Sequence, residues 1–189
     1  MTQKQKLLFI RVDRIGDLVL TLPVDQLSEL NNAQITWWIS QGLEFILDAS
    51  HKKRNFISIN KQNAWSEFWR LFNWLKKNPQ DTSVIFHGPW WLSLACFLAG
   101  IKTRGGRLSQ WHSYLFLNKG LRQSRSQSEK HESDYNFELA SHVLNISHKE
   151  KPHLNLQIPD SKEILNKFKL PPKSYVVVHP GMSGSSRNA

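Results

Sequence analysis

The chain has 189 residues, enough for one domain with a full core and marginal for two, and its 40% hydrophobic and 21% charged content, with 8 Trp and 10 Phe, excludes a disordered polypeptide. Lys and Arg number 25 against 15 Asp and Glu, a net charge of +10, which points to a polyanion, a phosphorylated ligand or an anionic membrane surface as partner. The single cysteine, Cys96, excludes an internal disulfide and a CxxC-type metal site and fits a reducing cytoplasm.

In chain order, KLLFIRV (6–12) reads as a strand buried on both faces of a parallel sheet; its apolar core stops at Arg11, too early for an export signal. In TLPVDQLSEL, Thr21 is placed to cap a helix with Pro23 in its first turn, and Asp17 to Leu22 is either a turn or an earlier start of that helix. QITWWIS (34–40) and FISIN (56–60) read as strands around a short helix at GLEFILDA. AWSEFWRLFNWLKK places Trp65, Phe68, Trp69, Phe72 and Leu75 at helical spacing, which predicts an amphipathic helix with these rings in the core. TSVIFHG (82–88) reads as the next strand and Pro89 as the start of a helix. That helix lies in GPWWLSLACFLAGI, which is shorter than the roughly 20 residues a bilayer requires and so reads as buried.

Residues 102 to 130 carry Lys102, Arg104, Arg107, Lys119, Arg122, Arg125 and Lys130 against the one acid Glu129, a basic segment; ESDYNFELASHVLNI (132–146) has helical spacing. DSKEILNKFKL reads as a short helix capped by Asp160 or Ser161, and Tyr175 to Val178 as a strand entering the Gly/Ser loop HPGMSGSSR. The βαβαβα rhythm predicts an α/β fold, a Rossmann-like doubly wound parallel sheet with ligands beyond the carboxyl ends of its strands. The segment RVDRIGD falls at such an end. The expected divisions are 1–150 as this domain, 151–172 as a linker with a short helix, and 173–189 as the first strand and phosphate loop of an incomplete second domain.

RVDRIGDLVLTLP together with HPGMSGSSRN resembles the two ends of the lipopolysaccharide heptosyltransferase family, glycosyltransferase family nine. FLAGIKTRGGR and KHESDYNFELASHVL resemble two segments between them, the second a His-x-x-x-x-n-x-x-Leu helix. The resemblance implies the N-terminal, acceptor-binding half of a GT-B enzyme whose second, nucleotide-sugar-binding domain is truncated. It implies inverting transfer of a heptose from ADP-heptose or a similar donor to a lipid-linked core acceptor, at the inner face of the cytoplasmic membrane, by a cytoplasmic, peripherally bound protein. No nucleic acid partner and no cofactor is expected, and the 189 residues are expected to be inactive without the second domain.

By the same resemblance Asp17 is the catalytic base, and the chemistry is coherent: a carboxylate near a helix start takes the proton of the attacking hydroxyl. A helix cap is the alternative. Acceptor-binding residues are expected at Arg14, Gly16, Arg104, Arg107, Arg122 and His131, Arg forks and Lys charges being suited to phosphorylated sugars. A solvated basic loop and an exposed histidine are the competing readings. Ser183, Gly184, Ser185, Ser186 and Arg187 are expected to receive the donor's diphosphate. Asp13 pairs with Arg11 or Arg14, and no metal is expected because DRIGD holds no Asp-x-Asp pair. The rival functions are a catalytically dead remnant that keeps an acceptor or interaction surface, and, with less support, a nucleic-acid binder.

Overall fold

The computed structural model describes residues 4–127, 129–147, 150–157, 162–171 and 176. The chain divides into two units, Met1–Leu156 and Gln157–Ala189. Within the second, one short helix, α7 (Lys162–Lys167), stands among the described residues. The candidate capping residues Asp160 and Ser161, the candidate donor loop Ser183, Gly184, Ser185, Ser186 and Arg187, and the 175–178 strand apart from Val176 lie outside the described residues.

The first unit is a six-stranded sheet in the order β3-β2-β1-β4-β5-β6. Every neighbouring pair is parallel. Its strands are β1 (Lys6–Arg11), β2 (Gln34–Ser40), β3 (Asn55–Ile59), β4 (Thr82–His87), β5 (Thr103–Arg107) and β6 (Lys119–Leu121). Helices connect them: α1 (Ile15–Val19), α2 (Glu44–Asp48), α3 (Ala64–Lys77), α4 (Trp90–Leu98), α5 (Trp111–Phe116) and α6 (Glu132–Leu144). β1 is central, and Leu7, Leu8, Phe9 and Ile10 are all buried because both faces of the sheet are covered. Alternation sends Leu7 and Phe9 to one core with Trp37, Val84, Phe137 and Leu139, and Leu8 and Ile10 to another with Trp38, Phe68, Leu71, Ile85 and Leu92. The chain order runs outward from β1 in one direction and then from β4 in the other, so the switch point lies between their carboxyl ends.

Three expectations change. The segment after Thr21 is not a continuous helix: α1 ends at Val19 and two 3-10 turns follow, Leu22–Gln26 and Ser28–Leu30. Thr21 Oγ1 donates to the Asp17 carbonyl at 2.6 Å instead of capping the turn, which leaves that turn without a side-chain cap. Second, Trp65 and Trp69 are not core. The inward stripe of α3 is Phe68, Leu71 and Leu75, while Trp65 is 74% exposed. At about 100° per residue, Trp65, Trp69, Phe72 and Lys76 form a neighbouring stripe turned to the flank. Third, the competing reading of residues 102–130 as a solvated basic loop gives way to β5, α5 and β6, with cations at strand ends.

A charged cluster is buried away from the switch point. Asp25 and Arg54 side chains are each 1% exposed and bind through Nε–Oδ2 at 2.6 Å. A second bond runs from Nη2 to Oδ1 at 3.0 Å, and Trp37 Nε1 donates to Oδ2 at 2.8 Å. With its lone pairs filled, this carboxylate is a structural tie between the 3-10 turn, β2 and the start of β3.

Candidate active site

The carboxyl end of β1 is shaped by a local irregularity. Ile10 pairs with Ile85 but Arg11 pairs with His87, so one residue of β4 is passed over, and Val12 N donates to the His87 carbonyl at 3.1 Å. Beyond this point the chain leaves the sheet through Asp13 and Arg14 and enters α1, whose first turn carries Asp17.

Arg11 is the hub. Its side chain is 3% exposed, and Nε donates to Asp13 Oδ1 at 2.8 Å while Nη2 stands 3.1 Å from Asp17 Oδ1. Across the sheet α6 supplies the remaining partners: Nη1 lies 3.4 Å from Glu132 Oε1 and 3.3 Å from Asn136 Oδ1. Arg125 closes the ring by pairing with Glu132, and its Nη2 is 3.4 Å from Asn136 Oδ1. Gln123 accepts from Arg125 Nη2 at 2.9 Å. Asn136 in turn donates to Thr21 Oγ1 at 3.0 Å, so the same asparagine fixes Arg11 and the turn behind Asp17. A buried guanidinium facing three carboxylates is tolerable because each of its faces is hydrogen-bonded.

Asp13 reaches past Arg11 toward His87, Nδ1 to Oδ2 at 3.6 Å, beyond hydrogen-bonding range. Burial pushes the Asp13 carboxyl above its ordinary range, opposed by Arg11 and His87. Burial also pushes His87 below its ordinary value, opposed chiefly by Asp13. His87 opens onto a cleft at the carboxyl ends of β4 and β5 that Gly88, Arg107, Ser109, Gln110 and His112 also line. Asp17 differs from Asp13 in presentation. Its side chain is 33% exposed and has Arg11 as its ion-pair partner, which leaves a carboxylate that is held yet accessible. Such a group can accept a proton from a hydroxyl in the crevice.

The predicted residues fall into two places. Asp17, Arg14, Gly16, Arg107, Arg122 and His131 all stand at the carboxyl edge, at strand ends or helix starts. Gly16 lies inside α1, and a Cβ built there meets nothing within 4 Å, so the backbone does not demand glycine and the space above it is open. Arg107 Nε donates to Ser109 Oγ at 3.2 Å and Arg122 Nη2 to the Tyr114 hydroxyl at 3.0 Å. His131 caps α6, its Nδ1 accepting from Ser133 N at 3.3 Å. Arg104 stands apart. It lies at the amino end of β5, donates from Nε to the Phe116 carbonyl at 2.8 Å and sits over the Phe97 ring. Among the described residues no group of three or more His, Cys, Asp or Glu is arranged to hold a metal ion.

Sequence reading missed His87, Gln123, Glu132 and Asn136, and placed Arg125 only among surface cations. One signal was present: Asn136 occupies the asparagine position of the His-x-x-x-x-n-x-x-Leu pattern that begins at His131.

No family model matches the chain. A protein of Haemophilus influenzae named "Putative glycosyltransferase" is 25% identical over 196 residues, covering 97% of this chain and 56% of its own length. Among solved structures, a family 9 glycosyl transferase from Veillonella parvula superposes with a TM-score of 0.71 at 16% identity, over 90% of this chain and 52% of that one. The chain carries the fold of family 9 glycosyltransferases. E. coli heptosyltransferase WaaC, solved with ADP-2-deoxy-2-fluoro heptose, gives a TM-score of 0.63 at 16% identity, covering 77% of this chain and 50% of its own. E. coli ADP-heptose LPS heptosyltransferase II gives 0.60 at 14% identity, covering 89% and 51%. The family 9 likeness thus extends over most of the chain, which spans about half the length of these relatives. Its parallel α/β sheet is one half of their GT-B architecture.

Proposed function

We propose that the protein is an inverting glycosyltransferase that moves a heptose or related sugar from ADP-heptose or a similar nucleotide diphosphate to a lipid-linked lipopolysaccharide core acceptor, at the inner face of the cytoplasmic membrane. The observation that carries this reading is Asp17, a part-exposed carboxylate at the switch point, 3.1 Å from the buried Arg11 guanidinium. The acceptor hydroxyl oxygen attacks the anomeric carbon opposite the leaving group and its proton passes to Asp17. The bond from the anomeric carbon to the diphosphate breaks, and its electron pair leaves on the phosphate oxygen. Arg11 positions the base and does not touch the sugar. Asp13 fits the role less well, being held by Arg11 Nε and turned toward His87. Arg14, Gly16, Arg107, Arg122 and His131 would face the acceptor's anionic groups. The diphosphate is assigned to Ser183, Gly184, Ser185, Ser186 and Arg187 and to the half of the fold that the relatives have beyond this one. The reading includes no metal, since DRIGD lacks an Asp-x-Asp pair.

The test uses protein expressed from its complete gene. With ADP-heptose and a truncated core acceptor it is expected to release ADP, and Asp17→Asn to lower turnover by about 10²-fold or more with donor affinity and melting temperature unchanged. A well-folded Asp17→Asn variant with wild-type turnover would remove Asp17 from the mechanism. Failure to turn over any nucleotide sugar in a panel would remove the transferase reading itself.

A further inference from the structure

Asn136 lies in α6 among residues of the apolar core, Phe137, Leu139 and Ala140, and is itself wholly buried. A buried amide costs stability unless its oxygen and both of its N–H groups find partners. Here all four bonding positions are taken. Oδ1 accepts from Arg11 Nη1 at 3.3 Å and from Arg125 Nη2 at 3.4 Å, while Nδ2 donates to the Leu20 carbonyl at 3.4 Å and to Thr21 Oγ1 at 3.0 Å. Exchanging oxygen and nitrogen would set N–H groups against two guanidiniums and an oxygen against a carbonyl, so these partners admit one orientation of the amide.

Two lines of bonds run from this amide to Asp17. One passes through Arg11, whose Nη2 stands 3.1 Å from Asp17 Oδ1. The other passes through the buried Thr21 hydroxyl, which accepts from Asn136 and gives its one proton to the Asp17 carbonyl at 2.6 Å. That carbonyl has lost its ordinary partner. In a continuing α-helix it would take the N–H of Thr21, four residues on, but α1 stops at Val19 and Thr21 N bonds to the Leu18 carbonyl at 2.9 Å instead. Asp17 is thus held at its carboxylate and at its backbone, in a helix of five residues that is too short to hold itself.

We propose that Asn136, acting through Arg11 and the Thr21 hydroxyl, is the positioning residue for Asp17. The proposal rests on the reading of Asp17 as the base and goes beyond it: the placement of the carboxylate in the crevice is set from α6, 115 positions along the chain from Thr21. Asn136 is fully buried and touches no substrate. A neutral amide suits the place better than an acid. Arg11 already faces Asp13, Asp17 and Glu132, and a further carboxylate would compete for it and would draw the Thr21 proton away from the Asp17 carbonyl.

The experiment uses protein from its complete gene and two readouts. In steady-state assays with ADP-heptose and a truncated core acceptor, Asn136→Asp and Thr21→Val are each expected to lower kcat about tenfold with KM for the donor unchanged, and Thr21→Ser, which keeps the hydroxyl, to stay within about twofold of wild type. The Thr21 pair tests the relay without altering α6. Because both changes act on one relay, the double variant Asn136→Asp, Thr21→Val is expected to fall well short of the roughly hundredfold loss of two independent changes. The second readout is amide hydrogen exchange with neither donor nor acceptor present. In Asn136→Asp the Leu20 and Thr21 amides are expected to exchange about tenfold faster while those of β1 keep their wild-type rates. Wild-type kcat in folded Asn136→Asp and Thr21→Val, a loss that Thr21→Ser shares, a fully additive double variant, or exchange that rises equally in α1 and β1 would each overturn the proposal, the last because it marks a tie of the whole fold. Wild-type turnover by Asp17→Asn sinks the base reading, whereas unchanged exchange at Leu20 and Thr21 sinks this one, and the exchange result needs no turnover.

Discussion

At the residue scale the crevice is governed by who shares a charge with whom. Arg11 is shared between Asp13 at 2.8 Å and Asp17 at 3.1 Å, so the carboxylates differ mainly in burial, 14% against 33% side-chain exposure. His87 feels the same environment with opposite sign. Burial lowers its pKa from 6.5; Arg11 and Arg107 push the same way, while Asp13 and Asp17 push back. A histidine whose folded value is depressed contributes stability that is present above its ordinary value and is lost as pH falls through it, because the unfolded chain takes up the proton first. Asp13, its value raised by burial, pulls the other way, since folding favours its protonated form. Melting of wild type and His87→Asn at pH 7.5 and 5.5 should therefore shift in the variant's favour at the lower pH. Parallel profiles would mean that the imidazole is not desolvated by the fold.

At the element scale the decisive contact is α6 on β5. A Cβ at Gly105 would lie 2.1 Å from Val143 Cγ2, and Val143 is buried against the sheet. Glycine there lets α6 settle close enough for Glu132 and Asn136 to reach Arg11. Gly105→Ala is expected to cost about 1–3 kcal/mol through overpacking. Gly16→Ala, whose new methyl enters open space within a helix, is expected to be neutral or to stabilise by about 0.5–1 kcal/mol. Urea melts of the two variants check both, and a Gly105→Ala protein as stable as wild type would contradict this seating of α6. Elements of this kind were legible wherever a period was strong: Gln34–Ser40 and Ala64–Lys77 were read from β-rich composition and from a helical stripe to the residue. The outward turn of Trp65 was not, because an apolar stripe of five residues contains two adjacent faces and sequence spacing does not say which one meets the sheet. The 3-10 turns that begin at Leu22 escaped for a similar reason, a local Thr21 bond to the Asp17 carbonyl displacing the expected cap.

At the scale of the whole molecule, the residues around Arg11 that sequence reading singled out, Asp13 and Asp17, lie in one short motif, and the partners it missed lie 76 to 125 positions from Arg11: His87 comes with β4, and Glu132 and Asn136 with α6. Only the strand order brings them together: the pattern that begins at His131 marks Asn136, but it does not say that this residue meets Arg11. The same order shows what the first unit is not built to bind. In a dinucleotide-binding sheet the loop after the first strand is glycine-rich and its helix start receives a pyrophosphate. Here that loop carries Asp13 and its helix Asp17, and α1 is a helix of five residues. Two carboxylates at the anion position repel a diphosphate, and Arg11 is already committed to both. Calorimetric titration of the 189-residue chain with ADP is therefore expected to show no binding tighter than about 1 mM. Micromolar binding would place a nucleotide site on the α/β unit and reverse the assignment of this half of the fold to the acceptor. Loss of that binding in Arg107→Ala but not in Asp17→Asn would locate the site in the cleft beside His87, away from the proposed base.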